Sequence, residues 1–145
     1  MDLALAEAIA AAEMGEVPVG AVVVHDGKVI SRAHNRREID ADPTAHAELI
    51  AMREAAQVLG DWRLENCTVY VTLEPCAMCA GLMVNARVPR CVFATTDPRG
   101  GFLGTLADLS SHPVLNHRFD VDSGVRGDEA AELLRSFFRS VRSKK

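Results

Sequence analysis

Apolar residues recur at helical spacing in four stretches of the chain. Residues 2–14 form an alanine-rich amphipathic stretch that predicts a first helix. Asp42-Pro43-Thr44 supplies a capping residue and an early-helix proline for a second helix that runs to about Leu59. A third is predicted from Pro75 to about Ala86, and a fourth over about 128–141. The fourth helix is predicted to bury Leu133, Leu134, Phe137 and Phe138.

Runs rich in β-branched residues predict the strands of one sheet. Residues 19–24, the turn signal Asp26-Gly27 and the return strand that begins at Val29-Ile30 predict an antiparallel hairpin. Three more strands are predicted at 67–73, at 91–94 and, as a short one, at 119–121. A hairpin followed by alternating helices and strands indicates an α/β fold, a three-layer α/β/α sandwich with a mixed five-stranded sheet.

The composition is that of a single globular domain, residues 1–145. Hydrophobic residues make up 48% and charged residues 25% of the chain. No stretch approaches the roughly 20 apolar residues of a membrane span, and acids stand near the amino terminus where a secretory signal carries basic residues. We therefore expect a cytoplasmic protein without membrane contact. Its four cysteines are expected to bind a metal or take part in catalysis in preference to forming disulfides.

The formal net charge of −4 argues against simple nucleic-acid binding, for which a strongly basic domain is typical. Positive charge is nevertheless concentrated at the carboxyl end. Residues 135–145 contain five basic residues and no acid: Arg135, Arg139, Arg142, Lys144 and Lys145. On this feature alone, a solvated helix end whose cations favour the helix dipole is the better interpretation.

Two short motifs carry the candidate chemistry: His46-Ala47-Glu48 at one predicted helix start, and Pro75-Cys76-Ala77-Met78-Cys79 at another. One imidazole and two thiolates give a zinc ion three protein ligands, which leaves the fourth tetrahedral position for water, as a catalytic site requires. Zinc lowers the pKa of that water towards roughly 7, so that hydroxide can attack at neutral pH. We therefore predict that His46, Cys76 and Cys79 bind zinc.

Glu48 is the predicted proton shuttle. It lies two residues beyond His46 in the same predicted first turn, so it can approach the water and the substrate without binding zinc. A deamination needs such a group, because the attacking water must lose its protons and ammonia leaves readily only after protonation. H-x-E followed by P-C-x-x-C is the sequence signature of zinc nucleobase deaminases.

Three other interpretations use the same residues. A strand-C-x-x-C-helix arrangement is also typical of thioredoxin-like redox sites, but it leaves His46 and Glu48 without a role. A closed structural zinc site could combine Cys76 and Cys79 with Cys67 and Cys91, although the latter two lie within apolar strand patterns. Finally, His46 could simply cap its helix.

Five further segments extend the two motifs. They are Glu16-Val17-Pro18-Val19-Gly20-Ala21-Val22, His34-Asn35-Arg36, Tyr70-Val71-Thr72-Leu73-Glu74-Pro75-Cys76, Asn116-His117-Arg118 and Phe137-Phe138-Arg139. With them, nearly the whole chain resembles the bacterial tRNA adenosine deaminases, within the wider cytidine-deaminase superfamily. The resemblance implies hydrolytic conversion of the wobble adenosine of a tRNA anticodon to inosine. It also implies one Zn²⁺ per subunit and a homodimer whose groove for the anticodon loop includes residues of both subunits.

The resemblance also implies roles for individual residues. His46, Cys76 and Cys79 match the zinc ligands, and Glu48 matches the proton shuttle. Asn35 and the backbone of Ala47 match contacts to the flipped nucleotide, and Asp97 matches a position near the RNA backbone. Phe138 and Arg139 lie in a last helix that helps to bind RNA. The loop after Asp97 departs from the family pattern, since residues 98–104 bring in proline and two bulky side chains. The resemblance therefore implies no substrate contacts for residues 98–104.

Two rival functions remain. A zinc deaminase of a small nucleobase or nucleoside, such as guanine, cytosine or cytidine, would use the same chemistry, and the net negative charge favours it. A non-catalytic zinc-bearing RNA-binding module would keep the metal without needing Glu48.

Overall fold

The computed structural model describes residues 1–143. Its α-helices are α1 (Asp2–Glu13), α2 (Ala47–Leu59), α3 (Ala77–Asn85) and α4 (Gly127–Ser143). Its strands are β1 (Gly20–His25), β2 (Lys28–His34), β3 (Cys67–Leu73), β4 (Arg90–Thr95) and β5 (Asp120–Ser123), and a short 3₁₀ helix covers Leu109–Ser111. Within residues 1–143, every helix is too short or too polar to cross a bilayer.

The strands form one sheet in the order β2-β1-β3-β4-β5. Strand β1 is antiparallel to both β2 and β3, whereas β3, β4 and β5 are parallel. The β1–β2 turn has positive φ at Asp26 (48°) and Gly27 (80°), the backbone that a tight hairpin favours. The predicted mixed five-stranded sheet and its opening hairpin are therefore confirmed.

Helices cover both faces of this sheet because the inner strands are buried on both sides. On one face, Val71 of β3 and Phe93 of β4 pack in the main core with Met52 of α2 and Met83 of α3. On the other face, a smaller cluster joins Ala94 of β4 to Leu5 of α1 and Ala130 of α4. The predicted three-layer α/β/α arrangement is confirmed.

The two helices that carry the zinc motifs begin later than the sequence predicts. Asp42 Oδ1 accepts hydrogen bonds from Thr44 N (2.8 Å) and Oγ1 (2.7 Å), so Asp42 closes a local turn instead of capping α2. His46 has an extended backbone (φ −80°, ψ 148°) and is the N-cap of α2. Cys76 is the N-cap of α3, and Pro75 lies outside that helix. The motif residues therefore stand at the helix entrances.

The end of the chain departs from the prediction in two details. Strand β5 begins at Asp120, after the buried Phe119, and not at Phe119 itself. On α4, Leu134 packs against the main core and Phe137 is half-buried, but Phe138 is 44% exposed. The prediction that Phe138 faces the core is wrong: adjacent residues on a helix of 3.6 residues per turn point about 100° apart, and α4 is rotated so that Phe137 takes the inner position.

Candidate active site

His46, Cys76 and Cys79 converge in space although about thirty residues of chain separate the two motifs. His46 Nδ1 lies 3.6 Å from Cys76 Sγ and 3.7 Å from Cys79 Sγ. All three ligand atoms lie within 4.8 Å of one another. Ligands about 2.0–2.3 Å from a tetrahedral zinc ion are roughly 3.6 Å apart, so the spacing of this donor set fits zinc.

The fold brings the ligands together by placing the starts of two helices side by side. His46 precedes α2, Cys76 precedes α3, and Cys79 lies in the first turn of α3. The amino-terminal ends of helices carry partial positive charge, which stabilises thiolates there. In the part of the chain that the structure describes, neither His46 nor Cys76 makes a side-chain hydrogen bond that caps its own helix.

The thiols of Cys76 and Cys79 have opposite pKa shifts. The hydrogen bond from Cys79, assisted by His46, lowers the pKa of Cys76 to about 4 against the opposing effect of burial. The same contact with Cys76, together with burial, raises the pKa of Cys79. The hydrogen bond to Cys76 also raises the pKa of His46. One sulfur is therefore ionised at neutral pH, and binding of a metal would displace the remaining protons.

Glu48 lies in the first turn of α2, and its side chain is almost fully buried. Burial raises the pKa of Glu48 from 4.5 to about 7, although His46 and a hydrogen bond with Cys79 favour the charged form. A carboxyl group that titrates near pH 7 can both accept and return a proton under physiological conditions. Glu48 therefore has the burial and the position that a proton shuttle requires.

His46, Glu48 and Cys76 face a cavity of about 180 Å³, and Cys79 lies behind them, fully buried. Its lining comprises Val17, Val19, Asn35, Arg37, His46, Ala47, Glu48, Leu73, Glu74, Cys76 and Asp97. The structure thus brings three predicted substrate contacts, Asn35, Ala47 and Asp97, to the same cavity as the zinc motif. Among residues 1–143, the cavity lining includes neither Phe138 nor Arg139.

Hydrogen bonds fix two of the predicted contact residues. Asn35 is buried, donates from Nδ2 to the Val17 carbonyl oxygen (3.3 Å) and accepts from Arg37 N at Oδ1 (3.1 Å). Asp97 Oδ1 accepts from the backbone amides of Arg99 (3.0 Å) and Gly100 (3.2 Å). Both side chains are therefore held in place before any substrate arrives.

The basic end of α4 is partly neutralised by one acid. Glu132 accepts hydrogen bonds from Arg139 Nη2 (2.9 Å) and from Arg135 Nε (3.1 Å). Phe138 packs edge-on against Phe137, with ring centroids 5.4 Å apart. Two of the basic residues in the sequence pattern, Lys144 and Lys145, lie outside the described residues.

Cys67 and Cys91 lie apart from the cluster of His46, Cys76 and Cys79. Both are buried in strands, and within residues 1–143 the cluster of possible metal ligands is limited to His46, Cys76 and Cys79. Burial raises the pKa of Cys67 to about 11, as is typical of an inert core thiol. A closed four-cysteine site is therefore incompatible with the fold.

Sequence reasoning missed two buried acids beside the cavity. Glu74 is 2% exposed and lines the cavity, and Glu16 is fully buried and accepts from Ile39 N at 2.8 Å. Each directly adjoins a short apolar segment, Leu73 or Val17, that also lines the cavity. An acid at the end of a buried strand was the available signal for Glu74.

Comparison with known proteins gives matches along nearly the whole chain. The family model described as MafB19-like deaminase matches residues 1–142. The tRNA-specific adenosine deaminase of Bacillus subtilis is 50% identical over 145 residues, covering 100% of this chain and 90% of that protein. The tRNA-specific adenosine deaminase of Agrobacterium fabrum is 47% identical over 142 residues, covering 98% of this chain and 93% of that protein.

Solved structures share the fold. One, from studies of A-to-I editing by tRNA:A34 deaminases at the wobble position of transfer RNA, superposes with a TM-score of 0.89. It is 46% identical, and the match covers 92% of this chain and 97% of that one. A guanine deaminase from Nitrosomonas europaea has a TM-score of 0.77 at 22% identity, covering 94% of this chain and 81% of that one. That second likeness concerns the fold alone.

Proposed function

Because the chain matches the MafB19-like deaminase family over residues 1–142 and belongs with the tRNA-specific adenosine deaminases, we propose that it converts the wobble adenosine of a tRNA anticodon to inosine. One observation carries the chemistry. The buried carboxyl group of Glu48 lies beside a convergent imidazole and thiol pair at the wall of a cavity. A metal-bearing binding module does not need that carboxyl group, and a redox thiol pair leaves the convergent imidazole of His46 without a role.

His46, Cys76 and Cys79 would hold one Zn²⁺ per subunit. When bound, zinc supplies a Lewis acid that lowers the pKa of a water molecule towards roughly 7. The three-residue donor set suits a catalytic rather than a structural site, because structural zinc sites use four protein ligands. In the described residues the group of possible ligands stops at three.

Glu48 would move the protons of the reaction. Its carboxylate takes a proton from the attacking water and passes it to a ring nitrogen of the adenine as the C6–O bond forms. It then carries the second proton of that water to the amino group, so that the C6–N bond breaks and ammonia leaves. The products are hypoxanthine in the nucleotide and ammonia, and the water supplies the oxygen and the protons. A pKa of about 7 lets Glu48 perform both transfers.

The size of the cavity supports a single base as the group that enters. At about 180 Å³ it is smaller than the roughly 300–1,000 Å³ of sites for drug-sized ligands. The ribose, phosphates and neighbouring nucleotides would therefore stay outside, which is how enzymes treat a base flipped out of its stack. Asn35 and the backbone of Ala47 would contact the flipped nucleotide, and Asp97 would lie near the RNA backbone.

Residues of α4 would contact RNA outside the cavity. Arg139 offers a guanidinium group to phosphates, and the exposed ring of Phe138 offers a stacking surface. Arg139 would exchange its contact with Glu132 for a phosphate as the RNA binds. The predicted grip on RNA therefore depends on releasing an internal ion pair.

We further propose that residues 1–145 act as one domain in a cytoplasmic homodimer. The single sheet and its main core support one domain. Free thiols at all four cysteines suit a reducing compartment. Exposed apolar side chains on α4, Phe138 and Val141, offer surface to a second copy or to RNA.

A deaminase of a free base is the second candidate. The net charge of −4 and the neutralisation of Arg135 and Arg139 by Glu132 favour it, because both weaken attraction to a polyanion. A free base would also fit the cavity.

One assay tests both candidates. The zinc-loaded protein is incubated with a tRNA that bears a wobble adenosine and, in parallel, with free adenosine and free guanine. Inosine at the wobble position, without turnover of the free compounds, supports the proposal. Turnover of a free compound alone would instead support the second candidate, a deaminase of a free base. Glu48→Ala protein is the negative control for both reactions.

A further inference from the structure

Glu74 follows β3 and precedes the Pro75-Cys76 step into α3. Its side chain is 2% exposed, which is rare for a glutamate, and it lies at the wall of the cavity. A buried carboxylate requires hydrogen-bond donors to replace the water it has lost. Glu74 therefore needs partners, and their identity shows what the residue does.

All four donors to Glu74 come from one loop, residues 97–105. Oε1 accepts from Asp97 N (3.1 Å) and from Thr105 Oγ1 (2.5 Å). Oε2 accepts from Leu103 N (3.0 Å) and from Thr105 N (3.1 Å). A single carboxylate thus ties the first residue of the loop to its last.

The loop also lies in direct contact with this carboxylate at Gly101. A β-carbon built on Gly101 would sit 2.2 Å from the Glu74 carboxyl carbon and 2.4 Å from each of its oxygens. Next to it, Phe102 N donates to the Pro75 carbonyl oxygen (2.9 Å). The backbone therefore wraps around Glu74, and glycine is required where the approach is closest.

This loop carries Asp97, whose side chain lines the cavity that contains Glu48. We infer that Glu74 is a positioning residue: through its hydrogen bonds to Asp97, Leu103 and Thr105 it fixes the loop that forms one wall of the substrate cavity. The inference rests on the proposed function for the reaction that it affects. The hydrogen-bonding geometry itself is independent of that function.

Glutamine at position 74 provides a test that preserves shape. A carboxylate offers acceptors to all four donors, whereas a glutamine side chain has one acceptor oxygen and an NH₂ group that is itself a donor. Glu74→Gln therefore points an N–H group at the loop amides and should free one end of the loop. Glu65→Gln makes the same chemical change at an exposed glutamate and is the matched control.

Two measurements are made on zinc-loaded proteins. Amide hydrogen exchange of peptides covering residues 97–105 should be faster in Glu74→Gln than in wild-type protein, with Glu65→Gln unchanged. The kcat/KM for a tRNA with a wobble adenosine should fall by about 10²-fold, because small displacements of positioning groups are that costly. Zinc content should stay at the wild-type level.

Thr105 provides a second pair of variants at an exposed position. Thr105→Val removes the hydroxyl donor to Glu74 and should lower kcat/KM by about tenfold, the effect of losing a hydrogen bond to a charged group. Thr105→Ser keeps the hydroxyl and should restore activity. If Glu74→Gln protein does not fold, this pair decides the question.

Several outcomes would overturn the inference. They are unchanged exchange in residues 97–105, loss of zinc from Glu74→Gln, or equal activities of the Val and Ser variants at position 105. If wild-type protein makes no inosine, the proposed function fails, but the exchange measurement still tests the hold of Glu74 on the loop.

Discussion

Gly20 of β1 lies directly against the backbone of Ala4 in α1. A β-carbon on Gly20 would sit 2.0 Å from the Ala4 carbonyl oxygen and 2.6 Å from Ala8 N. Helix α1 can therefore pack on the sheet at this distance because residue 20 has no side chain.

Gly20→Ala should consequently lower the free energy of unfolding by about 1–3 kcal/mol, the usual effect of forcing a methyl group into a filled core. Chemical denaturation monitored by circular dichroism measures the change. Gly81→Ala is the control, since a β-carbon there meets open space. Equal denaturation midpoints for the two variants would show that α1 can move to accommodate the added methyl group without loss of stability.

Replacing Glu48 should separate metal binding from turnover. Wild-type protein and Glu48→Ala should each bind about one zinc per chain, because Glu48 is outside the ligand set. Turnover of Glu48→Ala should fall by about 10²–10⁴-fold, the usual contribution of a general acid–base group.

Cys79→Ser is the complementary variant, expected to lose both zinc and activity. Elemental analysis and the inosine assay give the two readings. A fully active Glu48→Ala enzyme would remove the proposed shuttle.

The contribution of Glu48 to the stability of the metal-free protein should fall as pH rises from about 4.5 to about 7. Burial raises the pKa of Glu48 to about 7 in the folded state, so between these values the folded chain holds a proton that the unfolded chain has released. A folded state that binds more protons loses stability as pH increases. Well above pH 7, Glu48→Gln should therefore be more stable than wild type by about 3 kcal/mol.

Urea unfolding of chelator-treated proteins at pH 5 and pH 8 measures this difference. The gap between Glu48→Gln and wild type should be small at pH 5 and larger at pH 8. Glu13→Gln, at an exposed site, should show no such trend. A gap that is the same at both pH values would mean that Glu48 titrates normally.

Neutralising Arg139 and Arg142 should weaken binding of tRNA in a salt-dependent way. Each lost phosphate contact should reduce the slope of log K against log salt by about one. Fluorescence anisotropy over a range of salt concentrations measures the slope. Arg63→Gln changes an exposed arginine that stacks on Trp62 and serves as the control. Unchanged slopes for the double variant would show that these arginines do not contact phosphates and simply form a solvated helix end.

The sequence predicts the sheet well because its signals are local. The Asp26-Gly27 turn and the β-branched run of β3 each specify their own backbone, and both strands form as predicted. Helix starts are less predictable, because an aspartate followed by proline can close a turn as readily as cap a helix. Asp42 does the former, and α2 begins five residues later.

The zinc motif could be predicted because spacing and residue type encode it. The role of Glu74 could not, since its partners lie 23 to 31 residues further along the chain and act mainly through backbone amides. Backbone amides are present at every residue except proline, so they leave no trace in the sequence. The exposure of Phe138 was equally hidden, because it depends on how α4 rotates against the sheet.

His46 and Cys76 each occupy the entrance of a helix, where serine, asparagine or aspartate would satisfy a free amide. Such a residue stabilises a helix by about 1 kcal/mol relative to a non-capping one. Random substitution under selection for thermal stability alone would thus favour caps at both positions and erase the metal centre. Preservation of an imidazole and a thiol there in a laboratory evolution experiment would report directly on selection for catalysis.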